Sequence, residues 1–317
     1  MIMKGIRLIR GVPKFDYFRF HKLFFALSAA LMIISTISLM TRGLNFGVDF
    51  AGGILIEIRT EQPADLARMR ASLNDLNLGD VSLQDFGSDR DVLIRVQRQD
   101  GGEAAETAAI AAIRQTLGQG VEYRRTEFVG PKVGAELVQG GILALICSLL
   151  AIMAYMALRF GWRAGTAGVA AIIHDCYTTV GLFSLFQIQF DLNTLAAVMT
   201  IAGFSINDTV VIDDRIRENS RRYKSLDFKA IINRSVNETL ARTIVTSGLV
   251  LLAIIALLGW GGPVLFGFAL AMLWGVVVGV YSTIYVAAPL EWYLSGRGKS
   301  HKPPGEDEEK APAASGA

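Results

Sequence analysis

Charged and hydroxyl side chains inside long apolar stretches are the first candidates for chemistry here, because a charge in hydrocarbon is costly unless it faces protein or water. Asp208 lies within Gly203–Arg217 (GFSINDTVVIDDRIR), and Arg242 is followed at i+4 by Thr246, on the same face of a shared helix. A carboxylate beside a guanidinium stays ionised, whereas in low dielectric without that partner it takes up a proton. Asp208 as acceptor, Arg242 as the charge that tunes it and Thr246 as a polar intermediary have the composition of a proton relay. A static salt bridge between two helices, or an arginine that only marks a membrane boundary, accounts for the same residues. His174-Asp175 is a second ionisable pair within an apolar run. Histidine titrates near physiological pH and suits a relay. Packing or inter-helix hydrogen bonding is the other reading, since adjacent residues point to different helix faces.

Other chemistries lack their residues. No GxxxxGK[ST] phosphate loop, HExxH or GxSxG occurs. Cys147 and Cys176 are the only cysteines and both sit in apolar runs. They build neither a disulfide framework nor a metal site, and are expected to be buried, inert packing residues. The 31 basic residues nearly balance the 29 acidic ones and fall in blocks beside apolar runs, so nucleic acid is not an expected ligand. No cofactor and no metal are expected. Any work must draw on an ion gradient or a partner.

The elements that position these residues follow from apolar length. Runs at 23–40, 137–158, 164–186, 191–212, 242–259 and 264–290 each approach or exceed the ~20 residues that span ~30 Å of hydrocarbon. Lys and Arg crowd residues 1–22, the 159–163 connection and the 213–241 loop, while 187–191 and 260–263 carry none. This bias puts both termini in the cytoplasm and residues 41–136 outside. Met40-Thr41-Arg42 offers no small-residue cleavage site, so the first run is expected to be an uncleaved anchor.

The external segment alternates apolar and polar residues in Phe46–Thr60, Val81–Phe86, Asp91–Gln97 and Val121–Phe128. Helical stretches open at Pro63/Asp65 and at Glu103. The resulting β-α-β-β-α-β order is the split βαβ, or ferredoxin-like, arrangement. Fold class is therefore an α-helical integral membrane protein of six transmembrane helices with one extracytoplasmic α+β domain. In 213–241, Phe228, Ile231, Ile232, Val236 and Leu240 recur at helical spacing, which suggests an amphipathic cytoplasmic helix leading into the fifth span, with the membrane surface as the simplest resting place. Gly275 and Gly279, with Gly140/Gly141 and Gly165/Gly168, suit close helix packing. The tail 296–317 lacks core-forming residues and is expected to be disordered.

The chain resembles the SecF family, part of the SecD/SecF group in the resistance-nodulation-division (RND) superfamily, from about residue 10 to residue 294. The resemblance rests on FGVDFAGG (46–53), VGPKVGAEL (129–137), His174-Asp175, FSINDTVVIDDRIREN (204–219), LARTIVTS (240–247) and GGPVLFGF (261–268). It implies an RND-type membrane fold, SecD as partner, and work with the SecYEG channel, and with YajC, on a translocating preprotein driven by the proton-motive force. It assigns the proton path to Asp208, Arg242 and Thr246, leaving H+ or Na+ coupling and the part of His174 and Asp175 open. Asp49, Gly52, Gly53, Gly130 and Pro131 carry a structural motif at the junction with the external domain. Two positions depart from the family pattern: Phe204 stands where Tyr is commoner, and VVIDDR where VVFDR or VVSDR is expected. A small-molecule or lipid exporter of the same superfold, or a scaffold for a partner subunit, are the rival readings.

Overall fold

In hydrocarbon a backbone must satisfy its own hydrogen bonds, so an apolar run of spanning length becomes helix. The computed structural model describes residues 13–79, 81–86, 88–118, 120–129 and 131–296. Gly130 and almost all of the 296–317 tail lie outside the described residues. Along the chain, a 3-10 turn at Tyr17–Arg19 leads into α1 (His21–Thr41), and α2 (Val48–Ala51) is a single turn. The α/β domain is β1 (Gly53–Thr60), α3 (Leu66–Asn74), β2 (Val81–Phe86), β3 (Ser88–Gln97), α4 (Glu103–Leu117) and β4 (Val121–Val129). The rest is helical: α5 (Pro131–Phe160), α6 (Trp162–Phe186), α7 (Leu192–Arg222), α8 (Phe228–Trp260) and α9 (Gly262–Ser282). A π turn at Thr283–Ala287 joins α9 to α10 (Ala288–Leu294).

Among the described residues, six helical stretches are long and apolar enough to cross a membrane. The most buried is α6, and its packing with α7 and α9 forms the bundle core around Ile172, Phe183, Ile201 and Val276. By contrast α1, α5 and α8 turn Ile33, Ile37, Leu150, Leu158, Leu249 and Leu252 outward. Such a surface is stable only against lipid or another apolar protein face. Close approach depends on Gly275, where an added Cβ would lie 2.3 Å from the Ile201 side chain. At Gly279 the nearest atom, Asp175 Oδ2, is an ordinary 3.5 Å away, and at Gly140 nothing lies within 4 Å.

The sheet order is β2-β3-β1-β4 with every neighbouring pair antiparallel, as a β-α-β-β-α-β chain with two crossover helices requires. Period-two alternation puts Ile54, Ile56 and Ile58 on one face, opposite Val96, Ile94 and Val92. These side chains are at most 1% exposed and pack on Leu73, Ala109 and Ile113 of the covering helices. Asp65 starts α3 by accepting from the Arg68 amide at 3.0 Å.

The domain is tied to one end of the bundle through the segment before β1. The Gly47 amide donates to Phe190 O and the Phe190 amide to Asn45 O, both at 2.8 Å, linking this segment to the turn between α6 and α7. Asp49 Oδ2 accepts from the Leu192 amide at 3.1 Å, beside Asp191, which caps α7 through Thr194. Gly52 and Gly53 have φ of 76° and 135°, and a Cβ on Gly53 would meet Val96 O at 2.5 Å. Pro131 is the first residue of α5.

One expectation is corrected. The amphipathic helix expected to lead into the fifth run is there, as the start of α8 at Phe228, but α7 continues to Arg222, so 213–241 is two helical extensions and not a loop. No Gly or Pro interrupts the chain between Phe204 and Ser247, so both helices run on beyond their apolar portions. The apolar stripe of Ile231, Ile232 and Val236 is covered by Tyr17, Phe18, Ile212, Ile216 and Ile284. Glu238 clasps the two extensions by accepting from Arg215 at 2.6 Å, Asn219 at 2.8 Å and Arg234 at 2.8 Å.

Candidate functional site

Residues spaced i, i+3, i+4 and i+7 share one face of a helix, and on α7 that set is Ser205, Asp208, Thr209 and Ile212. All four are buried, facing α6, α8 and α9. Asp175, wholly buried on α6, is the best-connected group of the polar interior. Its Oδ2 accepts from Ser205 Oγ of α7 at 2.7 Å and from Ser282 Oγ of α9 at 2.9 Å. Its Oδ1 is 3.0 Å from His174 Nδ1, so the adjacent pair meets despite pointing from different faces of the helix. The other ring nitrogen of His174 is 3.1 Å from the Tyr281 hydroxyl, which lies 3.2 Å from Ser28 Oγ of α1. One carboxylate thus joins α6, α7 and α9, and through His174 and Tyr281 the connection reaches α1. Nearer the end away from the α/β domain, Thr209 and Thr283 hydroxyls stand 3.3 Å apart.

Asp208, 4% exposed, faces α8. There it accepts from Ser247 Oγ at 3.3 Å. Arg242 and Thr246 are not its hydrogen-bond partners among the described residues. Thr246 turns its hydroxyl back to Arg242 O and Thr243 O of its own helix, and the Arg242 side chain is exposed. Helix geometry explains this. Thr243 and Ser247 form an i, i+4 pair one position along from Arg242 and Thr246, about 100° around the helix, and it is Thr243 and Ser247 that are buried. Ser247 was missed by sequence reasoning. The available signal was a further hydroxyl directly after Thr246 in the same apolar run, four residues from Thr243.

The arrangement sets Asp175, held by several donors, in one bundle with Asp208, which is held by one neutral hydroxyl and lies within the field of the Arg242 charge. A carboxyl of the second sort can exist charged or protonated according to what approaches it. Among the described residues no cluster of three or more His, Cys, Asp or Glu side chains is arranged for a metal ion. Cys176 is buried with its thiol 3.6 Å from Val198 O, but Cys147, expected to be buried as well, is exposed on the face that α5 turns outward with Leu143 and Leu150.

Comparison with known proteins gives this geometry a context. Residues 109–297 match the family described as protein export membrane protein SecD/SecF, C-terminal, and residues 37–64 match the SecD/SecF GG motif, which contains Gly52 and Gly53. The protein translocase subunit SecF of Vibrio alginolyticus is 41% identical over 307 residues, covering 96% of this chain and 98% of the relative. That of Rickettsia prowazekii is 42% identical over 294 residues, covering 92% and 94%. Among solved structures, the translocon-associated membrane protein SecDF from Thermus thermophilus is 32% identical with a TM-score of 0.77 over 90% of this chain. A SecDF in a super-membrane-facing form is also 32% identical, with a TM-score of 0.69 over 92%. The chain spans 39% and 40% of those two longer chains.

Proposed function

The chain belongs to the SecD/SecF family of protein-export membrane proteins, and from that premise we propose that proton movement through its bundle drives work on an exported chain, with Asp208 as the group that gains and loses the proton. As a relative of translocase subunits it is a multi-pass membrane protein of Sec-pathway protein translocation, acting with SecD.

The observation that carries the proton assignment is the setting of Asp208: a carboxyl 4% exposed inside the bundle whose partner is the neutral hydroxyl of Ser247. Arg242 supports a shared path. It is exposed on α8 beside Ile244, Val245 and Leu249, which also face outward. Arg242 opens the apolar run 242–259, where its charge acts on Asp208 while its outward face suits a partner subunit that offers a carboxylate. Asp208 on the inner face of α7 and Arg242 at the rim then bracket a route whose second half the partner supplies, with Thr246 between them. The Asp175 network is saturated and internal, so His174 and Asp175 are assigned to holding α6, α7 and α9 together.

The membrane is the bacterial cytoplasmic membrane, with both termini inside and the α/β domain outside, on the strength of the basic short loops. The external domain meets the preprotein leaving the SecYEG channel, with YajC as an accessory neighbour, and the outward apolar surfaces of α1, α5 and α8 meet SecD and lipid. The role is non-enzymatic and uses no resident cofactor. Asp208→Asn in the SecD complex tests it: assembly should persist and gradient-driven export should stop, and unchanged export would refute the assignment. Collapsing the proton and sodium gradients one at a time identifies the coupling ion.

A further inference from the structure

Beyond Asp208, the same helix carries a second buried acid. Asp213 lies five residues further along α7, about 7.5 Å by helix rise, and is 7% exposed. It is also the acidic residue in VVIDDR that departs from the family pattern. Its Oδ2 is buried and has no hydrogen-bond partner among the described residues, and the same holds for Oε2 of Glu291 on α10. Both side chains line one cavity of about 270 Å³ at the end of the bundle away from the α/β domain. There the charge of Glu291 acts on Asp213. An adjoining cavity of about 300 Å³ is also lined by Glu291 and reaches Trp162 and Arg163.

Two carboxylates in one low-dielectric space cannot both stay charged without compensation. The charged groups facing them are Arg217 and Arg221 from α7 and Arg163 from α6, and the α8 residue that lines the cavities is the neutral Phe228. Neither acid forms an ion pair among the described residues. Arg217 already donates to Arg159 O. A metal cation would have to share the cavity with two guanidinium groups. A proton has no such difficulty: taken up by either acid, it leaves a single negative charge in the cavity, which the rim arginines favour.

We propose that Asp213 and Glu291 form a proton-sharing acid pair through which protons leave Asp208 for water at the cytoplasmic end of the bundle. This rests on the assignment of Asp208 as the proton carrier. At rest the pair holds one proton. When protonated Asp208 releases its proton, the O–H bond there breaks, Asp208 becomes a carboxylate, and the pair, now holding two protons, is neutral. The pair then releases one proton to a water in the cavity and returns to its singly charged state.

The test uses the SecD complex reconstituted in vesicles, with Asp213→Asn, Glu291→Gln and Asp208→Asn. Infrared difference spectra at neutral pH should show the carbonyl stretch of a protonated carboxylic acid that shifts in deuterium oxide. This band should be lost in both Asp213→Asn and Glu291→Gln and kept in Asp208→Asn. Gradient-driven export should slow in the two pair variants, with a displaced pH profile, and stop in Asp208→Asn. If Asp208→Asn stops export while both pair variants keep the parent spectrum and pH profile, the pair is overturned and the Asp208 assignment stands. If Asp208→Asn exports normally, the underlying assignment falls instead.

Discussion

Adding one methyl group at Gly275 should separate α9 from α7, and the structure sets the size of the effect. A Cβ there would sit 2.3 Å from both Cδ1 and Cγ1 of Ile201 and 2.8 Å from its Cγ2, in a core where Ile201 is fully buried. Relieving such an overlap costs about 1–3 kcal/mol. Replacing Gly by Ala within a helix recovers about 0.8–1.0 kcal/mol of propensity. Gly275→Ala should therefore be destabilising by roughly 0–2 kcal/mol net. Gly279→Ala, one turn on and 3.5 Å from its nearest neighbour, should be stabilising by up to about 1 kcal/mol. The difference between the two variants isolates the clash. Thermal unfolding of the purified complex reads it, and a second substitution identifies the atom responsible. Ile201→Ala removes all the offending atoms, so its loss should be smaller in the Gly275→Ala background than alone, a coupling of about 1 kcal/mol or more. Ile201→Val keeps branched atoms at Cβ and should rescue less. Equal stability of the two Gly variants, or additive double mutants, would refute the packing described for α7 and α9.

Three further outcomes are expected. Ser247→Ala should slow gradient-driven export more than Thr246→Ala does, because among the described residues Ser247 is the one that donates to Asp208; transport into vesicles at fixed gradient compares them. Ile56→Ala, fully buried in the α/β domain, should cost about 2–5 kcal/mol and expose that domain to protease before the bundle. Asp49→Ala should leave the Leu192 amide without its acceptor, weaken the junction by about 1–2 kcal/mol, and speed hydrogen exchange at the start of α7.

Apolar length and period-two alternation are local properties, which is why six spanning helices and the β-α-β-β-α-β order of the domain could be read from residue order. Rotation of one helix against another is not local. Arg242/Thr246 and Thr243/Ser247 are both i, i+4 pairs, and residue order does not say which faces α7; packing selects the second. Similarly, the stripe of Ile231, Ile232 and Val236 has the periodicity of a surface-lying helix, and only the arrival of Tyr17 and Phe18 from the N-terminal segment shows that protein covers it. Glu291 gave no signal at all. It is one acid at the end of the last apolar stretch, and it acquires meaning only when α10 brings it to the cavity that holds Asp213.

The central claim is that a proton is taken up and released at Asp208. The most direct measurement is proton flux into vesicles carrying the SecD complex under an imposed gradient, compared between the parent and Asp208→Asn during export. The account predicts export-coupled flux in the parent and none in an Asp208→Asn complex that is fully assembled. Equal coupled flux in the two would contradict it.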